Sequence, residues 1–138
     1  MVWDASADRA DNAHRRLVNL LASRMKEANA IPRNNQLIDI ATRYDDKDFI
    51  FEVKSITATN AKSQIRRGIS QLYEYRYLQN LADAHLVLVI ETPPPAAYEW
   101  MIEYLESDRN INVVWDGDDK LYGRKKTVQS LDFLRLQQ

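Results

Sequence analysis

Glu52 and Lys54 stand two residues apart in the run Phe49-Ile50-Phe51-Glu52-Val53-Lys54, and Asp39 precedes them within Leu37-Ile38-Asp39-Ile40-Ala41-Thr42. In an extended chain, side chains two apart project from one face, roughly 6–7 Å from each other along the strand. With Asp39 on a paired strand, its carboxylate converges with that of Glu52, and the two offer hard oxygen ligands to a hydrated Mg²⁺ or Mn²⁺. Lys54 then stands beside the metal water. That set suits phosphodiester hydrolysis, in which the cation acidifies a bound water and draws charge from the phosphoryl oxygens while an ammonium orients the nucleophile. An E-x-K by itself also fits the exposed face of any two-faced strand. Here Phe49, Ile50, Phe51 and Val53 make the segment read as buried, and buried charges need partners or a function.

Further along, Gln64, Gly68, Gln71 and Tyr75 follow one another at spacings of four, three and four, one stripe of a helix. A glycine in mid-helix costs about 1 kcal/mol relative to alanine, so a close approach by a phosphate or a strand is expected at Gly68. Lys62, Arg66 and Arg67 begin the same helix, whose amino end presents free amides to an anion, and phosphate contact is expected there. Another imidazole, His14, lies on a helical stripe near the start of the chain; a hydrogen-bonded histidine on a core-facing stripe is the competing reading.

These residues need elements to position them. Ala10, His14, Leu17, Leu21, Met25 and Ala28 recur at the helical period, predicting an amphipathic helix from about Asp8 to Ala28. Pro32 and Arg33-Asn34-Asn35 break it, strands follow at Leu37–Thr42 and Phe49–Lys54, and Asp45-Asp46-Lys47-Asp48 reads as the turn of a hairpin between them. Asn60 is placed to cap a helix reaching to about Leu81. His85–Ile90 is a continuous apolar run, the mark of a strand covered on both faces. It ends at Pro93-Pro94-Pro95. A helix from Ala96 to Ser107 and a strand at Ile111–Trp115 complete a β-α-β unit, with Tyr98, Trp100 and Trp115 read as packing residues. The tail from Lys120 holds a last packed segment at Leu131, Phe133, Leu134 and Leu136 whose type the pattern does not decide. The order implies a single domain over residues 1–138, an α/β three-layer sandwich with a central mixed β-sheet flanked by helices.

Composition bounds the chemistry. With 138 residues, 45% hydrophobic and 28% charged, the chain fits one globular domain. Its apolar runs are too short to span a bilayer, and Met1 to Asp11 holds no apolar stretch of the signal-peptide kind, so a cytoplasmic location without membrane contact is expected. The absence of cysteine removes disulfides and thiolate zinc sites and favours Mg²⁺ or Mn²⁺ on oxygen and imidazole ligands. A net charge of −1 argues against coating of nucleic acid by bulk charge alone.

Ile38-Asp39 followed by Ile50-Phe51-Glu52-Val53-Lys54-Ser55 resembles motifs II and III of the PD-(D/E)XK nuclease superfamily, and Gln71-Leu72-Tyr73-Glu74-Tyr75 resembles the Q-x-x-x-Y element of its RecB-like members. His14 is similar to the RecB-type histidine that adds a metal ligand. The match covers about His14 to Tyr77. It lacks a motif I glutamate on the first helix, and the stretch between Ala28 and Leu37 leaves little room for the extra first strand of the family core. The resemblance implies a restriction endonuclease-like fold and a metal-dependent deoxyribonuclease serving restriction, anti-phage defence or repair. It implies Asp39, Glu52, Lys54, Gln71 and Tyr75 as catalytic residues, and Asp39, Glu52, Val53 and His14 as metal ligands. DNA is the expected partner, through Lys62, Arg66, Arg67 and Gly68, with a homodimer or a targeting domain completing the assembly. The alternative is a catalytically silent nuclease-fold module that binds nucleic acid or a protein.

Overall fold

The protein, described by a computed structural model over residues 5–138, begins with the long helix α1 (Ala5–Glu27). Met1–Asp4, part of the segment read for an export signal, lie outside the described residues. Then follow strands β1 (Ile40–Tyr44) and β2 (Lys47–Lys54), helix α2 (Ala61–Leu78) and strand β3 (His85–Ile90). A 3₁₀ turn (Ala96–Tyr98) leads into α3 (Trp100–Glu103), which continues as a π-helical turn (Tyr104–Asp108). Strands β4 (Ile111–Gly117) and β5 (Lys120–Tyr122), helix α4 (Lys125–Ser130) and a 3₁₀ turn (Asp132–Leu134) complete the chain.

The five strands lie in sequence order, β1-β2-β3-β4-β5. Pairing is antiparallel at the two ends of the sheet and parallel in the middle, as the two hairpins and the two helical crossovers require. Both hairpins turn on an Asp-Asp pair with positive φ, 53° and 60° at Asp45 and Asp46, 54° and 60° at Asp118 and Asp119. Two consecutive left-handed residues make the tight turn whose twist matches the flanking strands, and aspartate tolerates that region better than most residues. The acids at Asp45-Asp46 and Asp118-Asp119 are therefore turn chemistry.

Alternation along the strands divides the core. Phe49, Phe51, Val53, Val87, Val89 and Val114 pack with Leu17, Leu21 and Met25 of α1 and with Leu131, Phe133, Leu134 and Leu136 of the tail. Ile50, Leu86, Leu88, Ile90 and Val113 pack on the other face with Ala61, Ile65 and Leu72 of α2 and with Met101, Ile102 and Leu105. Helices thus cover both faces of a mixed sheet. Among the described residues no helix is long and apolar enough to cross a membrane.

Several local expectations are corrected. Strand β1 starts at Ile40, not Leu37, because Asn35 Oδ1 accepts the amides of Leu37 and Ile38 at 2.8 and 2.9 Å and holds them in a turn. Asn60 does not cap α2 with its side chain: its Oδ1 accepts the Thr57 amide at 2.6 Å instead, on the loop side. The single helix expected over Ala96–Ser107 is three pieces, and its π-helical turn lets two consecutive residues, Leu105 and Glu106, both face inward. Trp100, read as a packing residue, is 52% exposed.

Candidate active site

Three residues of β2 and its neighbour define the centre. Ile50, Glu52 and Lys54 share the sheet face that carries α2, and Asp39 immediately precedes β1, which pairs Ile40 with Phe51. The amide of Val53 donates to Asp39 Oδ2 at 2.9 Å, so the main chain of the Glu52-Val53-Lys54 strand itself holds the aspartate. His14 of α1 approaches from the other side, its Nε2 3.0 Å from Asp39 Oδ1. Lys54 Nζ lies 3.4 Å from Glu52 Oε1, and both side chains are close to buried.

Burial and charge set the protonation of this group. Burial, followed by the neighbouring charge of Asp39, pushes the Glu52 carboxyl up to about 8; Lys54 opposes this without overcoming it. Burial acts the same way on Asp39, but the hydrogen bonds from His14 and from the Val53 amide outweigh it and hold that carboxyl below its ordinary value. The hydrogen bond to Asp39 raises His14. One carboxylate and one carboxylic acid thus share a proton, as close carboxyl pairs do when no cation is present.

Helix α2 closes the site from above. Gln71 Nε2 donates to the Tyr75 hydroxyl at 3.0 Å. The Tyr75 hydroxyl is raised by burial and then by the negative field of Glu52. Glu52 Oε2 and Gln71 Oε1 are buried and meet no hydrogen-bond donor. An orphaned carboxylate oxygen beside a second carboxylate is what a hydrated cation satisfies, so the donor chemistry of Asp39 and Glu52 fits a divalent metal. The fit is not preassembled: among the described residues no three His, Asp or Glu side chains surround a common cation position, and His14 meets Asp39 rather than an open point. The side chain of Val53 packs in the opposite core layer, leaving its main chain as the only part of that residue on the site's side.

The structure sorts the basic residues expected to meet phosphate. At about 100° per residue, Arg67 falls one turn before Gln71 on nearly the same side of α2, whereas Lys62 and Arg66 fall on the far side. Lys62 Nζ accordingly sits 5.9 Å from the centre of the Tyr98 ring, and Arg66 lines a surface cleft with Trp100 and Tyr104. Gly68 is corrected. A Cβ there would come within 2.6 Å of Leu88 Cδ1 and 3.5 Å of Lys54 Cγ, so the glycine lets α2 settle on β2 and β3 and is not turned to a ligand.

Sequence reasoning missed Glu91. Its Oε1 accepts the Ile56 amide at 2.7 Å, and its carboxylate takes both guanidinium nitrogens of Arg9 at 3.0 Å. It thereby ties the loop after Lys54 and the first part of α1 to the end of β3. The one available signal was a carboxylate directly following the apolar run of β3.

No protein-family model matches the chain, and neither a curated protein nor a solved structure matches it.

Proposed function

We propose that the protein is a divalent-metal-dependent nuclease that hydrolyses DNA phosphodiester bonds on a restriction endonuclease-like scaffold. One observation carries the reading: a buried Glu52, its carboxyl raised to about 8 and one oxygen unpartnered, faces Asp39 with Lys54 alongside. Such a group is unfavourable as it stands and becomes favourable when a cation replaces the shared proton. The topology supports it as well. Arg33 makes a two-hydrogen-bond antiparallel bridge to Ala41, at 2.8 and 2.7 Å, on the free side of β1, where the family core has an extra strand.

Asp39 and Glu52 would hold Mg²⁺ or Mn²⁺, with the main chain of Val53 beside them and His14 the nearest further ligand. The metal supplies an acidified water and a Lewis acid for the phosphoryl oxygens. Lys54, pinned against Glu52, positions its ammonium to hold the attacking water and to offset charge that develops on the phosphoryl group. Gln71 and Tyr75, joined by a hydrogen bond, would line the site, with the unpartnered amide oxygen of Gln71 available to a substrate or a water. Arg67, on the same stripe, faces the approaching backbone. One such site cuts one bond, so a duplex substrate calls for a homodimer or for two successive visits.

The test is incubation with supercoiled plasmid, linear duplex and single-stranded DNA in Mg²⁺, Mn²⁺ and EDTA. Cleavage in either metal and none in EDTA is the expected result. Absence of cleavage, together with absence of metal binding by calorimetry, would overturn the reading.

A further inference from the structure

Beside Asp39 the surface opens into a cleft of about 370 Å³ between α1 and the loop before β1, lined among others by His14, Arg15, Asn19, Asn34 and Asp39. Its walls are rich in hydrogen-bond donors. Asn19 and Asn34 present amides, His14 an imidazole and Arg15 a guanidinium, while the acid closest to the centre, Asp39, is already engaged by His14 and by the Val53 amide.

Arg15 differs from the two arginines nearest to it on the same helix. Arg9 grips Glu91, and Arg16 spans Asp116 and Asp119 at 2.8 and 2.6 Å. Among the described residues Arg15 makes no ion pair, although Asp11, one helical turn earlier, lines the same cleft. An arginine left without a carboxylate in a donor-rich cleft, next to a site suited to phosphodiester chemistry, is chemically a receptor for a phosphate oxyanion. Its fork can take two oxygens of one phosphate, and the neighbouring amides can take more.

We infer that the cleft walled by Arg15, Asn19 and Asn34 is a phosphate-binding subsite, which holds the backbone of a nucleic-acid strand next to the bond being cut. This rests on the nuclease reading and adds to it a direction for the substrate: the strand leaves the metal-side carboxylates between α1 and the Asn34 loop, on the opposite side of Asp39 from Arg67.

The experiment measures binding of fluorescein-labelled 20-nucleotide single-stranded and duplex DNA by anisotropy, in Ca²⁺ and over a salt series, for the wild type, Arg15→Ala and Arg15→Lys. Each phosphate contact contributes about 0.7 to 0.9 to the slope of log affinity against log salt. Arg15→Ala is expected to weaken binding several-fold and to lower that slope by about one contact's worth, with an unchanged thermal midpoint by circular dichroism. Arg15→Lys is expected to keep the slope and to recover only part of the affinity, since the charge remains and the fork is lost. Binding by Arg15→Ala with the wild-type slope overturns the subsite and leaves the nuclease reading standing. Failure of the wild type to bind either DNA overturns both.

Discussion

The Val53 amide donates to Asp39 at 2.9 Å, so the strand that carries Glu52 and Lys54 also fixes the carboxylate opposite them. The two carboxyl groups and the ammonium are therefore referenced to one stretch of main chain. Loss of Asp39 as a ligand or of Lys54 as a charge stabiliser should cost DNA cleavage about a hundred-fold or more. Asp39→Asn keeps an acceptor for the Val53 amide and should melt within a few degrees of the wild type, whereas Lys54→Ala removes the nearly buried partner of Glu52, so its cleavage is compared at a temperature well below its own melting point. Full specific activity in either purified variant would remove that residue from the mechanism.

The raised Glu52 carboxyl has a consequence for pH. In the unfolded chain the group titrates near 4.5, and in the folded metal-free protein near 8, so between these values the native state binds the extra proton. Its contribution to stability is fully present below pH 4.5 and is lost as pH rises through about 8. Glu52→Gln removes the titration while keeping the shape, and should melt higher than the wild type at pH 9. A cation competes with that proton, so the apparent affinity for Mn²⁺ should rise between pH 6.5 and 8.5 and be flat in Glu52→Gln. Calorimetric titrations at several pH values read this directly; an affinity for the wild type that is independent of pH would contradict the shared-proton description.

His14 reaches the centre through Asp39. A partner that orients a metal-bound carboxylate is typically worth about 10- to 100-fold in metal affinity. His14→Ala should weaken Mn²⁺ binding by that much. His14→Gln, which can still donate to Asp39, should recover part of it if orientation is the role and none if the ring nitrogen itself binds the ion.

Gly68 tests packing against ligand contact. Alanine would gain about 1 kcal/mol of helix propensity, but its Cβ would press on Leu88, a fully buried side chain, and overpacking of that kind costs about 1–3 kcal/mol. Gly68→Ala should therefore lower stability in urea denaturation. Cleavage should also fall, because the same Cβ abuts the stem of Lys54. A stabilised variant with weaker DNA binding would restore the phosphate-contact reading of this glycine.

Much of this arrangement was legible in the sequence because it depends on short-range patterns. The run His85–Ile90 is a strand from end to end and is buried from Leu86 onward, and within the stripe from Gly68 to Tyr75 the glycine does pack on the sheet while Gln71 and Tyr75 bond to each other. What was hidden depends on few residues or on distant partners. Strand β5 has three residues and α4 six, too few for either period to show, and β5 is recognised only by its pairing with β4. Asn60 has the composition of a cap, yet its side chain goes to Thr57, a competition between two local hydrogen bonds that the residue type cannot decide. The split of Lys62 and Arg66 from Arg67 follows from helix geometry alone and needed only the knowledge of which face meets the sheet.

Glu91 is the clearest case of a distant dependence, since its partners lie 82 and 35 residues away in the chain. Its two contacts are unequal. Arg9 is about half exposed, and exposed ion pairs contribute roughly 0–1 kcal/mol, whereas leaving the partly buried Ile56 amide without an acceptor costs about 1–3 kcal/mol. Arg9→Ala should thus be nearly silent. Glu91→Gln keeps an oxygen for the amide and should be mild, while Glu91→Ala should lose both stability and cleavage, because the freed loop begins two residues after Lys54. Urea denaturation and cleavage rates on the three variants give the order Arg9→Ala, Glu91→Gln, Glu91→Ala, from least to most damaging. Equal losses in Arg9→Ala and Glu91→Ala would show that the ion pair, not the amide, is what fixes the end of β2.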